Sequence, residues 1–391
     1  MFAATSASLC LAADWPQWRG PARNGISAEK GWSSSWASGP HKVWSARVGL
    51  GWSAMSVVGS RLYTAGWANG QDTIWCLDAL SGKPIWKWSY PCDGGSRYGG
   101  DGYGGPRAEP TVDGGNVYIM SIEGGVACLN AQTGKVVWGR NVARETGAGA
   151  PQWGFAGSPL VEGNLLILNI GETGTALDKS TGKIVWKSGG TGGYSSPAPY
   201  TMGRQRAVAL FSSKSVVAVN PANGAVLWRH PWETNFDVNA ADPIFAGTDV
   251  FISSNYGRGC ALLRPSGNRA QVVWENRSMK NHFSTSVMVN GGIFGNDDGR
   301  LKCLDLATGN ERWSARGGLG KGGLIASDNK LILLTERGEL VVVQADPGRY
   351  SELARAKILD GTCWTHPVLA NGRIYARSHE GDLVCLDVRG K

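Results

Sequence analysis

The chain has 391 residues, with 39 Lys and Arg against 31 Asp and Glu and a formal charge of +8. The basic residues are scattered singly and no nucleic-acid motif accompanies them, which argues against a nucleic-acid partner. With 57 Gly and 18 Trp but few Met and Phe, the composition suits many short strands joined by tight turns, and no stretch reaches the roughly 20 apolar residues of a membrane-spanning helix.

Residues 1–13 are mostly small or apolar, and Leu11-Ala12-Ala13 before Asp14 has the form of a signal-peptidase site. They are expected to be the remnant of an export signal, and the protein to be exported, periplasmic or extracellular. The positively charged start of such a signal is missing, so either the chain begins late or the true start lies upstream. Leu9 stands before Cys10 where a lipid-anchor site wants a small residue, which disfavours lipidation.

Residues 14–391 are expected to form one repeat domain. His41-Lys42-Val43-Trp44 reads as a lone strand with nothing before it. From there a polar residue, a Gly and a Trp recur: Asp78-Gly82-Trp86, Asn130-Gly134-Trp138, Asp178-Gly182-Trp186, Asn220-Gly224-Trp228, Arg264-Gly267-Trp274 and Asp305-Gly309-Trp313. A period of roughly 40 to 50 residues marks a propeller or solenoid. In 110–142 the unit resolves into four strands, with turns at Asp113-Gly114-Gly115-Asn116, Glu123-Gly124-Gly125 and Thr133-Gly134-Lys135. Residues 91–105, with Arg97, Tyr98, Asp101 and Tyr103 among glycines, are the longest insertion and are expected to form a lid. No Gly-Lys-Ser/Thr makes it a phosphate loop.

Units begin near Ser53, Ala108, Gly157, Ser195, Ala241, Ser284, Gly322 and Thr365. The seventh lacks its Trp after Asp346-Pro347-Gly348, so its outer edge is expected to be looser. The eighth stops without a fourth strand, which 41–48 supplies. The predicted fold is therefore all-β, a single eight-bladed β-propeller of four-stranded antiparallel blades closed by an N-terminal strand. Cys76, Cys128, Cys303 and Cys385 share one slot with Ala176 and Ala218, a small buried packing position. That leaves Cys92 and Cys363 as candidates for a disulfide.

The repeated Asp/Asn, Gly and Trp are read as staples without chemistry. Function is sought where equivalent positions stop repeating, at the loops entering each innermost strand. One ring there is Ala54, Glu109, Ser158, Ser196, Asp242, Thr285, Gly323 and His366. Two residues earlier stand Trp52, Arg107, Ala156, Tyr194, Ala240, Phe283, Lys321 and Trp364, with Asn239, His282 and Cys363 one before those. Trp153, Trp232, Glu233 and Asp237 belong to rim loops. Aromatic walls with convergent polar groups are a site hypothesis; the alternative is a water-filled funnel of paired charges. No Cys or His spacing suits a transition metal, although Glu109, Asp242 and Asn239 form a candidate Ca²⁺ set.

The segments Cys76–Trp86 and Val219–Trp228 resemble the blade motif of the quinoprotein-like, PQQ-binding-like eight-bladed family, and the resemblance covers nearly the whole chain from Trp15. Asp14-Trp15-Pro16-Gln17-Trp18-Arg19-Gly20-Pro21, Asp237-Val238-Asn239 and Lys280-Asn281-His282-Phe283-Ser284 resemble an exported bacterial subgroup. The family implies either a PQQ- and Ca²⁺-dependent dehydrogenase of alcohols or sugars, or a cofactor-free scaffold such as the outer-membrane assembly lipoprotein. The chain has no adjacent Cys pair and no matchable Glu-Asn-Asp set of the dehydrogenases. The leading expectation is a channel-mouth pocket that binds a small polar ligand such as a carbohydrate, with its transformation there left as an open alternative. Arg107 and Lys321 would hold anionic or hydroxyl groups and His282 and His366 would move protons. Glu109 and Asp242 would act as base or metal ligand. Asn239, Trp52, Tyr194, Trp364 and Trp153 would contact the ligand, with Trp52 and Trp364 stacking on it.

Overall fold

Blade 2 shows how the local sequence makes a blade. Gly114 and Gly115, both at positive φ (53° and 82°), form the primed turn that matches strand twist and pair Thr111–Asp113 with Asn116–Met120. Ser121 Oγ then accepts from Gly125 N at 2.9 Å, and the chain returns as Gly125–Asn130 and Val136–Asn141. A short helix, Val142–Thr146, follows, its start capped by Asn141.

The computed structural model describes residues 13–36, 38–94, 104–315 and 317–390. Residues 1–12 of the expected export remnant, Cys10 included, lie outside the described residues, as do Arg97, Tyr98, Asp101 and Tyr103 of the expected lid. The chain is an eight-bladed propeller, with blades 1 to 7 over 56–91, 111–141, 160–187, 198–231, 244–276, 287–314 and 323–357. Blade 8 combines Val368–Ala370, Arg373–Arg377 and Asp382–Asp387 with the N-terminal strand His41–Arg47, which pairs Trp44 with Cys385 and Ser45 with Val384. Innermost and middle strands are buried, as in Lys330–Leu334, whereas the fourth strands alternate exposed and half-buried positions, as in Pro84–Pro91.

The recurring Trp joins each blade to the next. Trp44, Trp86, Trp138, Trp186, Trp274 and Trp313 each donate Nε1–H to a turn carbonyl of the following blade (Ala79, Ala131, Lys179, Pro221, Leu306 and Asp346) at 2.8 to 3.0 Å. Each indole other than that of Trp313 also lies on the repeat Gly. A Cβ on Gly134 would come within 2.7 Å of the Trp86 ring, and φ there is +71°, so glycine is needed for both space and conformation. Trp228 departs from the rule and donates to Tyr200 of its own blade. There the outer strands of blades 4 and 5 meet directly through Arg229 and Arg269.

Two expectations are corrected. The outer strand of blade 7, Glu352–Lys357, is fully paired with Glu339–Gln344 and carries Arg355 bridged to Glu339 and Glu352, both at 2.9 Å, so that edge is not looser. Cys92 and Cys363 do not pair: the seven described cysteines are all free and buried.

A further difference bears on function, because the axis is not an open channel. The segment from Trp15 to Ser27 fills it and forms hydrogen bonds with all eight blades. Trp15 exchanges two backbone bonds with Val57 of blade 1, and Val112 N of blade 2 donates to Pro16 O. Arg23 donates to Pro159 O of blade 3 and Pro197 O of blade 4, Trp18 to Asp242 of blade 5, and Arg19 to Ser286 O of blade 6. Ile26–Ser27 adds as a parallel strand to Gly323–Ser327 of blade 7, and Ser27 Oγ donates to Leu369 O of blade 8. Each innermost strand leaves an edge of backbone groups facing the axis, and this hub supplies partners for them.

Candidate functional site

At the end of the ring where the innermost strands begin lies a cavity of about 270 Å³. The residues two positions before each innermost-strand slot, Trp52, Arg107, Ala156, Tyr194, Ala240, Phe283, Lys321 and Trp364, all line it. His282, Trp153 and Asp242 line it too, joined by Trp18, Val238 and Tyr256.

Its wall is a run of aromatic rings in contact. His379 stacks on Trp52 at 4.0 Å, Trp52 on Trp364 at 4.4 Å, Trp364 meets Phe283 at 5.0 Å, and Phe283 stacks on His282 at 3.9 Å. Tyr256 follows at 5.2 Å from His282, then Phe236 and Trp153, with Trp153 reaching Tyr194 at 6.2 Å. Lys321 Nζ sits over Trp364 at 4.6 Å and Phe283 at 5.5 Å, a pair of cation–π contacts. Arg107 is turned by the bond from its Nε to Trp153 O at 3.1 Å, and burial brings its guanidinium down to about 10, still charged at neutral pH.

The floor was not anticipated. Trp18, carried up by the axial hub, lines the cavity and donates its indole N–H to Asp242. The only sequence signal was the tryptophan- and arginine-bearing segment before the first unit, which has no counterpart in any blade.

In and beneath the floor the expected ring does different work. Glu109 N donates to Ser158 Oγ at 2.8 Å, Ser158 N to Ser196 Oγ at 3.0 Å, Ser196 N to Asp242 Oδ1 at 2.7 Å, and Asp242 N to Thr285 Oγ1 at 2.9 Å. Each side-chain oxygen in this chain accepts the backbone N–H of the preceding blade. The ring varies in residue type yet repeats in chemistry, and four members thereby serve closure.

Several predicted site residues accordingly do not line the pocket. Glu109 and His366 are buried below Trp18, with Glu109 Oε2 3.6 Å from His366 Nε2 and neither atom hydrogen-bonded among the described residues. His366 Nδ1 faces Pro367 O at 3.0 Å, and burial pushes Glu109 well up and His366 down to about 4. Asn239 is fully buried and donates to the carbonyls of Ser212, Ser213 and Trp232 while accepting from Ser254 Oγ. Trp232 is also fully buried, under Arg258. Cys363 is a core residue.

The candidate Ca²⁺ set does not assemble. Asn239 Oδ1 accepts from Ser254 Oγ, the two oxygens of Asp242 accept from Ser196 N and Trp18, and burial disfavours the charged form of Glu109. Among the described residues no three His, Cys, Asp or Glu side chains converge on a metal position. The residues thus do not fit a PQQ and Ca²⁺ centre, and no step is derived through one.

His282 is the titratable group best placed in the pocket. Its Nε2 lies 3.1 Å from Tyr256 Oη and its buried Nδ1 has no partner among the described residues. Burial, and then the charge of Lys321, bring it down to about 4. The unfolded histidine titrates near 6.5, so in the window from 6.5 to about 4 the unfolded chain binds more protons, and native stability falls as pH falls. Urea titrations of the parent and His282→Phe should show the parent losing about 1–3 kcal/mol relative to the variant between pH 7 and pH 4. Parallel stability profiles would contradict this environment.

A protein-family model described as outer membrane protein assembly factor BamB matches residues 94–315. Among solved structures, BamB from Moraxella catarrhalis is 16% identical with a TM-score of 0.66, covering 89% of this chain and 100% of its own. A europium-containing methanol dehydrogenase gives 13% identity and a TM-score of 0.73 over 94% of this chain and 90% of that one. A quinohemoprotein alcohol dehydrogenase from Comamonas testosteroni gives 16% and 0.69 over 97% and 81%. At these identities the likeness shows the fold. No curated protein sequence matches the chain.

Proposed function

This chain belongs to the PQQ-binding-like β-propeller family, matched through the model described as outer membrane protein assembly factor BamB, and we propose that its pocket over Trp18 binds a small polar ligand such as a carbohydrate. The observation that carries this reading is the convergence of eight residues of six types, one from each blade's equivalent slot, on a single aromatic-walled cavity. The ring beside it varies in residue type but repeats one hydrogen bond, whereas this slot repeats no interaction, as a ligand without eightfold symmetry requires. A cavity of about 270 Å³ lies at the small end of ligand pockets, the scale of a monosaccharide.

The pocket is read as a binding site rather than a reaction centre. His282, brought down to about 4, is a weak base, Glu109 and His366 lie below the floor, and Asp242 holds Trp18 and Ser196, so among the described residues no side chain in the cavity is poised as a general base. With residues 1–13 read as export-signal remnant, the protein is taken to act outside the cytoplasm. No helix among the described residues is long and apolar enough to cross a membrane.

The test is a thermal-shift and tryptophan-fluorescence screen with monosaccharides. A saturable shift, abolished by a bulky residue at Ala156 or Ala240, is the expected result. A scaffold role is the second reading, favoured by the exposed apolar residues Ile85, Val137, Val185 and Val226 on the outer strands. It predicts no shift with any sugar.

A further inference from the structure

Resting on the pocket reading above, we infer that the ligand is an acid: a ring-shaped molecule carrying a carboxylate or an equivalent anion that faces Lys321. The inference starts from the charges that meet in the cavity. Among the described residues two cations line it, Lys321 from blade 7 and Arg107 from blade 2, the second engaged at Trp153 O, and one carboxylate, Asp242. That carboxylate lies in the floor, is buried, accepts from Trp18 and Ser196 N, and has Arg19 Nε at 4.0 Å beneath it. Its charge is directed down into the hub, while those of Arg107 and Lys321 belong to the wall.

Lys321 is the sharper of the two. Among the described residues no carboxylate lies within ion-pair distance of its Nζ, which sits over the faces of Trp364 and Phe283. The nearby acid, Glu336, is engaged by Trp364 Nε1 at 2.6 Å and by Lys321 N at 3.3 Å, on the backbone side of that pair. In an eight-bladed ring blade 7 lies opposite blade 3 and blade 1 opposite blade 5, so Lys321 faces the slot of Ala156, and Trp52 that of Ala240. The small residues leave room in front of an ammonium and an aromatic face. A flat or saturated ring stacked on the Trp52–Trp364 pair would bring a substituent at its edge to Lys321, and an anion there gains a charge-assisted contact in a partly water-excluded cavity.

The experiment compares D-glucuronate with D-glucose on the full chain, with pyrroloquinoline quinone as a third arm, by fluorescence titration at low and high salt. Glucuronate should bind at least tenfold more tightly than glucose, with the difference shrinking at 1 M NaCl. Lys321→Met should bring the two affinities together, and Lys321→Arg should retain most of the preference. Equal affinity for the two sugars in the parent would overturn the acid assignment while leaving the carbohydrate reading standing. Binding of neither sugar by a protein with an intact unfolding transition, or of the quinone alone, would overturn both.

Discussion

Arg19→Met lowers the unfolding free energy by about 3–5 kcal/mol in urea titrations, the scale of leaving a buried charge without its partner. Arg19 and Asp242 are both buried and 4.0 Å apart, and Arg19 also donates to Ser286 O and Asn24 O, each at 2.9 Å. Methionine fills the volume but strands two carbonyls and removes the nearest positive charge from Asp242, a carboxyl whose pKa burial already raises. Asp242→Asn alone is expected to cost about 1–3 kcal/mol, because its Oδ1 still accepts from Ser196 N while its Nδ2 meets the Trp18 N–H donor to donor. The double variant should be more stable than the sum of the two losses predicts by about 1 kcal/mol or more, since removing both members leaves no orphan charge. Additive losses would mean that the hub is not held to blade 5 by this pair.

How legible these features were in sequence follows from what repeats. The staples repeat as residue types, because a Trp must lie on a turn with no Cβ and reach one carbonyl, and few alternatives satisfy both. Counting with Asp78-Gly82-Trp86 and its counterparts therefore gave the blades and the closing strand. The pocket lining was also legible, for the opposite reason: Arg107, Tyr194, Phe283 and Lys321 occupy one slot and repeat no single interaction. The adjacent ring misled, because Ser158, Ser196, Asp242 and Thr285 look as varied as the lining yet all present an oxygen near the backbone to the same N–H. Variation of residue type is a sign of function only when the interactions vary too. The hub had no repeat to measure it by, and its contacts reach from the Gly25–Arg19 turn bond, 6 positions apart, to the Ser27–Leu369 bond, 342 apart, which no local pattern reveals. What remained visible was a segment with two tryptophans and two arginines ahead of the first unit.

The hub meets the ligand site at one side chain, so Trp18 should separate support from recognition. Trp18→Ala removes the floor and joins the pocket to the small void below, lined by Arg19, His366 and Thr285. Stability should fall by about 3 kcal/mol, as for other large aromatic truncations, and affinity for whichever monosaccharide the parent binds should fall at least tenfold. Trp18→Phe keeps an apolar floor over His366, whose ring lies 4.8 Å from that of Trp18, but cannot donate to Asp242. It should lose about 1–2 kcal/mol of stability, the loss of a hydrogen bond to a carboxylate, and keep affinity within about threefold. Fluorescence titration and urea unfolding on the same samples measure the two effects independently. If the alanine variant bound as tightly as the parent, the floor would be irrelevant to recognition and the ligand would have to sit higher, among Trp52, Trp364 and Phe283 alone. If the phenylalanine variant lost binding as well, the indole N–H or the position of Asp242 would itself be part of the recognition surface.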